Sequence, residues 1–150
     1  MAQSLAKILL HTVFSTKDQP FLAGQTAPRR TLPLSWRLLA NFNCQPLIIG
    51  GVGDHVHLLF THSRAATVAD VVKELKRSSS VWLKAKAPEL ADFAWQSGYC
   101  VFSIGQSQVD VVRAYIAGQK EHHRKVTFQD EFRRLLERYG IEFDERYVWD

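Results

Sequence analysis

Two pairs of residues in this sequence have types and spacings that could do chemistry. His55 and His57 are two apart, and in a strand such residues point to one side while Val56, Leu58 and Phe60 share the other. Two imidazoles held close together can bind a divalent metal; the competing reading is a pair of solvent-facing histidines on a half-exposed strand. Tyr115 and Gln119 are four apart, so on a helix they stack on one face, where their ordinary roles are a core aromatic and a solvated amide. Gly118 lies between them. A glycine inside a helix costs about 1 kcal/mol relative to alanine, which points to close approach of a backbone or ligand.

These residues need elements to position them, and the punctuation of the chain supplies a set. Residues 7 to 15 read as a strand, 31 to 42 as a helix with Pro33 in its first turn, and 46 to 51 and 56 to 60 as strands of a hairpin around Gly53 and Asp54. Apolar positions 68, 71, 72, 75 and 82 have helical spacing, and Thr67 with Asp70 makes a capping start for a helix reaching about residue 86. Its outer face carries Lys73, Arg77, Ser80 and Lys84. Residues 99 to 104 form a further strand, 107 to about 123 a helix through Tyr115, and 128 to 139 a last helix stopped by Gly140. The order β-α-β-β-α-β-α predicts an α+β fold: a ferredoxin-like or RRM-like antiparallel sheet with helices on one face. The apolar Val56, Leu58 and Phe60 must then meet the helices, which leaves His55 and His57 on the open face.

Composition narrows the class. With 150 residues, 46% of them hydrophobic, the chain suits one compact domain. Its charge is uneven: residues 1 to 125 hold 15 Lys and Arg against 8 acids, whereas 126 to 150 hold 4 against 7. The basic part suits a polyanionic partner. Cys44 and Cys100 stand apart without a Cys-x-x-Cys pattern, as expected of reduced thiols in a cytoplasmic protein. The apolar stretch from Ile8 to Phe14 is interrupted by His11 and Thr12 and reads as neither signal peptide nor membrane span. His11, His62 and His123 read as surface or packing histidines, and His122 as a weak candidate for phosphate or metal contact.

Several motifs then line up in one order. Asp54-His-Val-His-Leu-Leu59 resembles the HUH motif of the single-tyrosine transposases, the small insertion-sequence enzymes and their repeat-associated relatives. Val72 to Ser80 is similar to the family's basic helix, Trp95 to Phe102 to its Trp and Tyr-Cys strand, and Tyr115 to Gln119 to its Tyr-x-x-x-Gln helix. The resemblance covers roughly residues 5 to 125. It implies a transposase domain over 1–125 with a helical extension over 126–150 in the same compact unit.

The same resemblance implies the chemistry. His55, His57 and Gln119 would hold one Mg²⁺ or Mn²⁺, and Tyr115, on a C-terminal helix, would be the catalytic nucleophile. It would cleave and rejoin single-stranded DNA, at hairpins, through a 5′-phosphotyrosine. Lys73, Arg77, Lys84, Lys120 and Arg124 would contact DNA. The partners implied are hairpin-forming single-stranded DNA and a second copy of the chain, each site of the dimer taking histidines from one subunit and tyrosine from the other. Two other readings use part of this set. A domesticated nucleic-acid-binding relative would leave the linked His, His, Tyr and Gln idle, and a metal-dependent phosphohydrolase using water would have no need of Tyr115.

Overall fold

The computed structural model describes residues 2–17, 31–123 and 125–150. Its strands are β1 (Leu9–Ser15), β2 (Gln45–Val52), β3 (His55–Thr61) and β4 (Cys100–Ile104). Its helices are α1 (Leu32–Asn41), α2 (Val68–Lys86), α3 (Val109–Ala117), α4 (Gln119–His122) and α5 (Phe128–Arg138). The strands make one antiparallel sheet in the order β2-β3-β1-β4, the split arrangement of a ferredoxin-like fold. The α+β class and the element order agree with the sequence reading. Thr67 starts α2 by accepting from the Asp70 amide at 3.1 Å, and Thr127 starts α5 by accepting from Asp130 at 3.2 Å.

One face of the sheet behaves as the alternation predicts. Leu10 and Phe14 of β1 join Val56, Leu58 and Phe60 of β3 against Leu39 of α1 and Val71, Leu75 and Leu83 of α2. Trp95 completes this layer and donates to Ser79 Oγ at 2.9 Å.

The other face is not open. Here the chain covers the sheet with its own last three helices. Leu9 and Leu59 pack against Val109 and Ile116, and Val13 and Phe102 pack against Phe128, Phe132, Leu135 and Leu136. Each such side chain contributes about 1.5–3 kcal/mol by leaving water. The consequence is visible in β1, which is buried at every position rather than at alternate ones. Charge alone marks residues 126 to 150 as an acidic tail, but the i, i+4, i+7, i+8 spacing of those four apolar residues makes α5 a core helix.

The tyrosine-bearing segment differs from a single helix over 107 to 123. A 3₁₀ turn at Gln106–Gln108 leads into α3, and Gly118 both ends α3 and begins α4. A close approach of a helix to a glycine occurs instead at Gly50 of β2, where a Cβ would lie 2.9 Å from the Ile116 side chain and 3.1 Å from its carbonyl oxygen. Gly50 thereby lets α3 lie against the sheet. Gly50→Ala should therefore destabilise the protein by about 1–3 kcal/mol through overpacking, read as a lower midpoint in urea denaturation; an unchanged midpoint would mean that α3 yields without cost.

Candidate active site

Register fixes where the histidines project. Ser15 pairs with His55, Val13 with His57 and His11 with Leu59, so His11, His55 and His57 stand on the face covered by α3 to α5. His55 and His57 are both 0% exposed. They do not face solvent; they face Gln119 at the start of α4 and Glu131 in the first turn of α5.

His57 Nε2–H donates to Glu131 Oε1 at 2.9 Å. With that nitrogen protonated, His57 Nδ1 accepts from His11 Nε2–H at 2.8 Å. His55 Nδ1–H donates to Asp54 at 2.7 Å, and its Nε2 lies 3.0 Å from Gln119 Oε1 and 3.3 Å from Glu131 Oε1. Gln119 Nε2 donates to Glu131 Oε2 at 3.1 Å. His123 is held at Nδ1 by the Val126 carbonyl, 2.7 Å away, and its Nε2 approaches Gln119 Oε1 and Glu131 Oε2 at 3.0 and 3.2 Å. His55 stacks on Phe128 with ring centroids 4.3 Å apart, which closes the site from the side of α5.

Tyr115, half-buried on α3, reaches this group. Its ring centroid is 5.6 Å from that of His57, 6.2 Å from His11 and 5.7 Å from His122. His55, His57, Tyr115 and Gln119 thus converge within one chain.

Electrostatics follow from burial. Burial disfavours the Glu131 carboxylate, but hydrogen bonds from His123, His55 and His57 outweigh it and hold the carboxyl far below the usual range. Burial likewise opposes the His55 imidazolium, yet the bonds to Asp54 and Glu131 raise its pKa to about 9. For His57 burial prevails and lowers the pKa to about 4, and the same cause takes His11 to about 3. Burial, then the Glu131 charge, raises the Tyr115 phenol well above its ordinary range.

The donor set fits a divalent cation. Two ring nitrogens converge with an amide and a carboxylate oxygen, and the far nitrogen of each ring is already anchored, His55 on Asp54 and His57 on His11.

Comparison with known proteins decides the family. Residues 4–119 match the family described as "Transposase IS200 like", most of the chain. The chain belongs to this family. Its fold is shared with a solved candidate transposase from Deinococcus radiodurans, at 20% identity and a TM-score of 0.61 over 79% of this chain and 98% of the other. It is also shared with a REP-associated tyrosine transposase solved bound to a REP hairpin, at 12% identity and a TM-score of 0.61 over 84% and 74%. No curated protein matches the sequence significantly. As an IS200-like transposase the chain has a coarse function, DNA cleavage and strand transfer. Among the described residues no helix is long and apolar enough to cross a membrane.

The basic residues do not gather at this IS200-like site. Lys73, Arg77 and Lys84 are exposed on α2, across the sheet from the histidines, and Arg77 is paired with Glu74 at 2.6 Å. Lys120 is exposed beside the site and lines a cleft of about 290 Å³ with Ile48, Gly50, Gly51 and Ile116. Arg124 lies outside the described residues. Sequence reasoning set aside His11 and His123, which the structure places at the site, and missed Glu131 altogether. A signal for Glu131 existed: it is the one acid inside the apolar stripe 128, 132, 135 and 136 of α5.

The shifted histidines predict how the metal-free protein responds to pH. Below the ordinary value of 6.5 the unfolded chain takes up protons that folded His11 and His57 refuse until about 3 and 4, so stability falls with acid. The stability from charged His55 is fully present below 6.5 and is lost as pH rises through about 9. Thermal denaturation in chelator from pH 4 to 10 should give a maximum near neutrality with a decline on both sides, and a curve rising steadily to pH 10 would contradict the assignment of His55.

Proposed function

We propose that this transposase cleaves and rejoins single-stranded DNA at hairpins, with Tyr115 as nucleophile and His55, His57 and Gln119 as holders of one Mg²⁺ or Mn²⁺. The observation that supports it most is the placement of the half-buried Tyr115 ring 5.6 Å from His57 of its own chain. A tyrosine serving only as core filler would not need to set its ring edge-on to both His57 and His122 of a polar cluster.

A cation held by His55, His57 and Gln119 would supply positive charge that makes the scissile phosphate easier to attack. Everything else falls to the chain. Tyr115 Oη forms a bond to phosphorus as the bond to the 3′ oxygen breaks; the phenol loses one proton and the departing 3′ oxygen gains one. The product is a 5′-phosphotyrosine and a free 3′ hydroxyl. Because the new link is again a phosphodiester, a 3′ hydroxyl can reverse the step and join strands without an energy source. Burial and the Glu131 charge keep the resting phenol protonated, so its proton has to leave as the bond to phosphorus forms.

The site is proposed to act within one chain, whether or not the protein pairs as the homodimer its family resemblance implies. Lys120 would meet phosphate near the site, while Lys73, Arg77 and Lys84 would meet hairpin phosphates on the far side of the sheet.

Tyr115→Phe should retain hairpin binding and form no covalent adduct with a single-stranded oligonucleotide, seen as loss of a detergent-stable band. Mixing it with His57→Ala subunits under chain exchange should restore no cleavage, because every site keeps one lesion; recovery would mean shared sites. Replacing Lys73, Arg77 and Lys84 together should weaken binding and flatten its dependence on salt by up to about three phosphate contacts, and an unchanged slope would return α2 to solvent.

A further inference from the structure

We propose that Glu131 of α5 is itself a ligand of the cation at the histidine pair, so that the C-terminal region beyond the family match completes the metal site. The inference rests on the reading of His55 and His57 as metal holders. The family match ends at residue 119, and Glu131 lies 12 residues further along the chain.

Geometry carries the argument. Ligands at right angles, each about 2.1 Å from a cation, stand about 3 Å from one another. The measured edges are 2.9 Å from His57 Nε2 to Glu131 Oε1, 3.3 Å from His55 Nε2 to the same oxygen, and 3.0 Å from His55 Nε2 to Gln119 Oε1. His55 Nε2 has one proton to give and faces two oxygens from different side chains. A hydrogen-bonded lock would need only one of them, whereas a cation among these four atoms satisfies them all once both Nε2 protons leave.

The rest of the carboxylate is arranged as a ligand's would be. Glu131 Oε2 is held by Gln119 Nε2 at 3.1 Å and faces His123 Nε2 at 3.2 Å, which leaves Oε1 turned to the histidine pair. Metal-bound carboxylates are commonly braced in this way. His122 Nε2 is buried 3.1 Å from Oε2 without making a hydrogen bond, while other atoms of its side chain leave it 30% exposed. Charge also balances. Two neutral imidazoles, an amide and one carboxylate leave a divalent ion with net charge +1, enough to attract a phosphate.

The test is Mn²⁺ binding by the full-length protein, followed by calorimetry and by loss of the aqueous Mn²⁺ resonance signal, with circular dichroism to confirm folding. The wild-type chain should bind one Mn²⁺. Glu131→Gln, which keeps size and hydrogen bonding, and Glu131→Asp, which draws the oxygen back, should weaken it about a hundred-fold, and His123→Ala about ten-fold. If the Glu131 variants do not fold, Mn²⁺ added to wild type should shift a carboxylate stretching band in infrared difference spectra, and His57→Ala should abolish the shift. Unchanged or tighter Mn²⁺ binding by folded Glu131→Gln, or no carboxylate shift in wild type, would overturn the proposal. If His57→Ala still lost the ion in that case, the histidine site would stand without Glu131; no binding by wild type would overturn both.

Discussion

A buried carboxylate among imidazoles is the constraint on which the C-terminal half of this protein depends. Glu131 is 2% exposed, and an unpaired charge at such a position would cost several kcal/mol. Its oxygens are instead shared among His55 and His57 from β3, Gln119 from α4 and His123 beyond it. The contacts tie α4 and α5 to the sheet at one point. Phe128 and Phe132 flank that point and keep water from it, which strengthens every interaction inside.

That constraint explains the unequal faces of the sheet. The face under α1 and α2 is filled with aliphatic and aromatic side chains and serves stability. The opposite face has apolar packing at both ends, around Leu59 and Ile116 and around Val13 and Phe132, with a polar cluster set between. Rigid surroundings suit a site in which distances near 3 Å decide what is bound. The glycine at 50 allows α3 to approach β2 closely, and so allows Tyr115 to reach across to His57.

Family membership and the site share His55, His57, Tyr115 and Gln119, and the site adds residues beyond the family match. The family match covers the sheet, α1 to α3 and the chain as far as Gln119. The residues that bury the histidines come mostly from the C-terminal segment past Gln119. α5 therefore converts an exposed pair of histidines into an enclosed cluster, and the acidic balance of the last 25 residues, 7 acids against 4 bases, includes the one acid that does this. Other acids of this segment pair at the surface, as Glu145 does with Arg133 at 2.6 Å.

Local periodicity and turn chemistry made the element order, the ferredoxin-like class and the shared face of His55 and His57 legible in the sequence, because period-two and period-four spacings are set by backbone geometry alone. The linked His, His, Tyr and Gln motifs made the family legible for the same reason: they are local patterns. Which side of the sheet would be covered was not local. It depended on where α5 docks, a contact between residues 74 apart in the case of His57 and Glu131. His11 read as filler because its partner lies 46 residues away, and His123 because only folding brings it to Gln119 and Glu131. Sequence determined which side chains face together on each element; tertiary packing alone decided that two such faces, on β3 and α5, would meet and bury a charge between them.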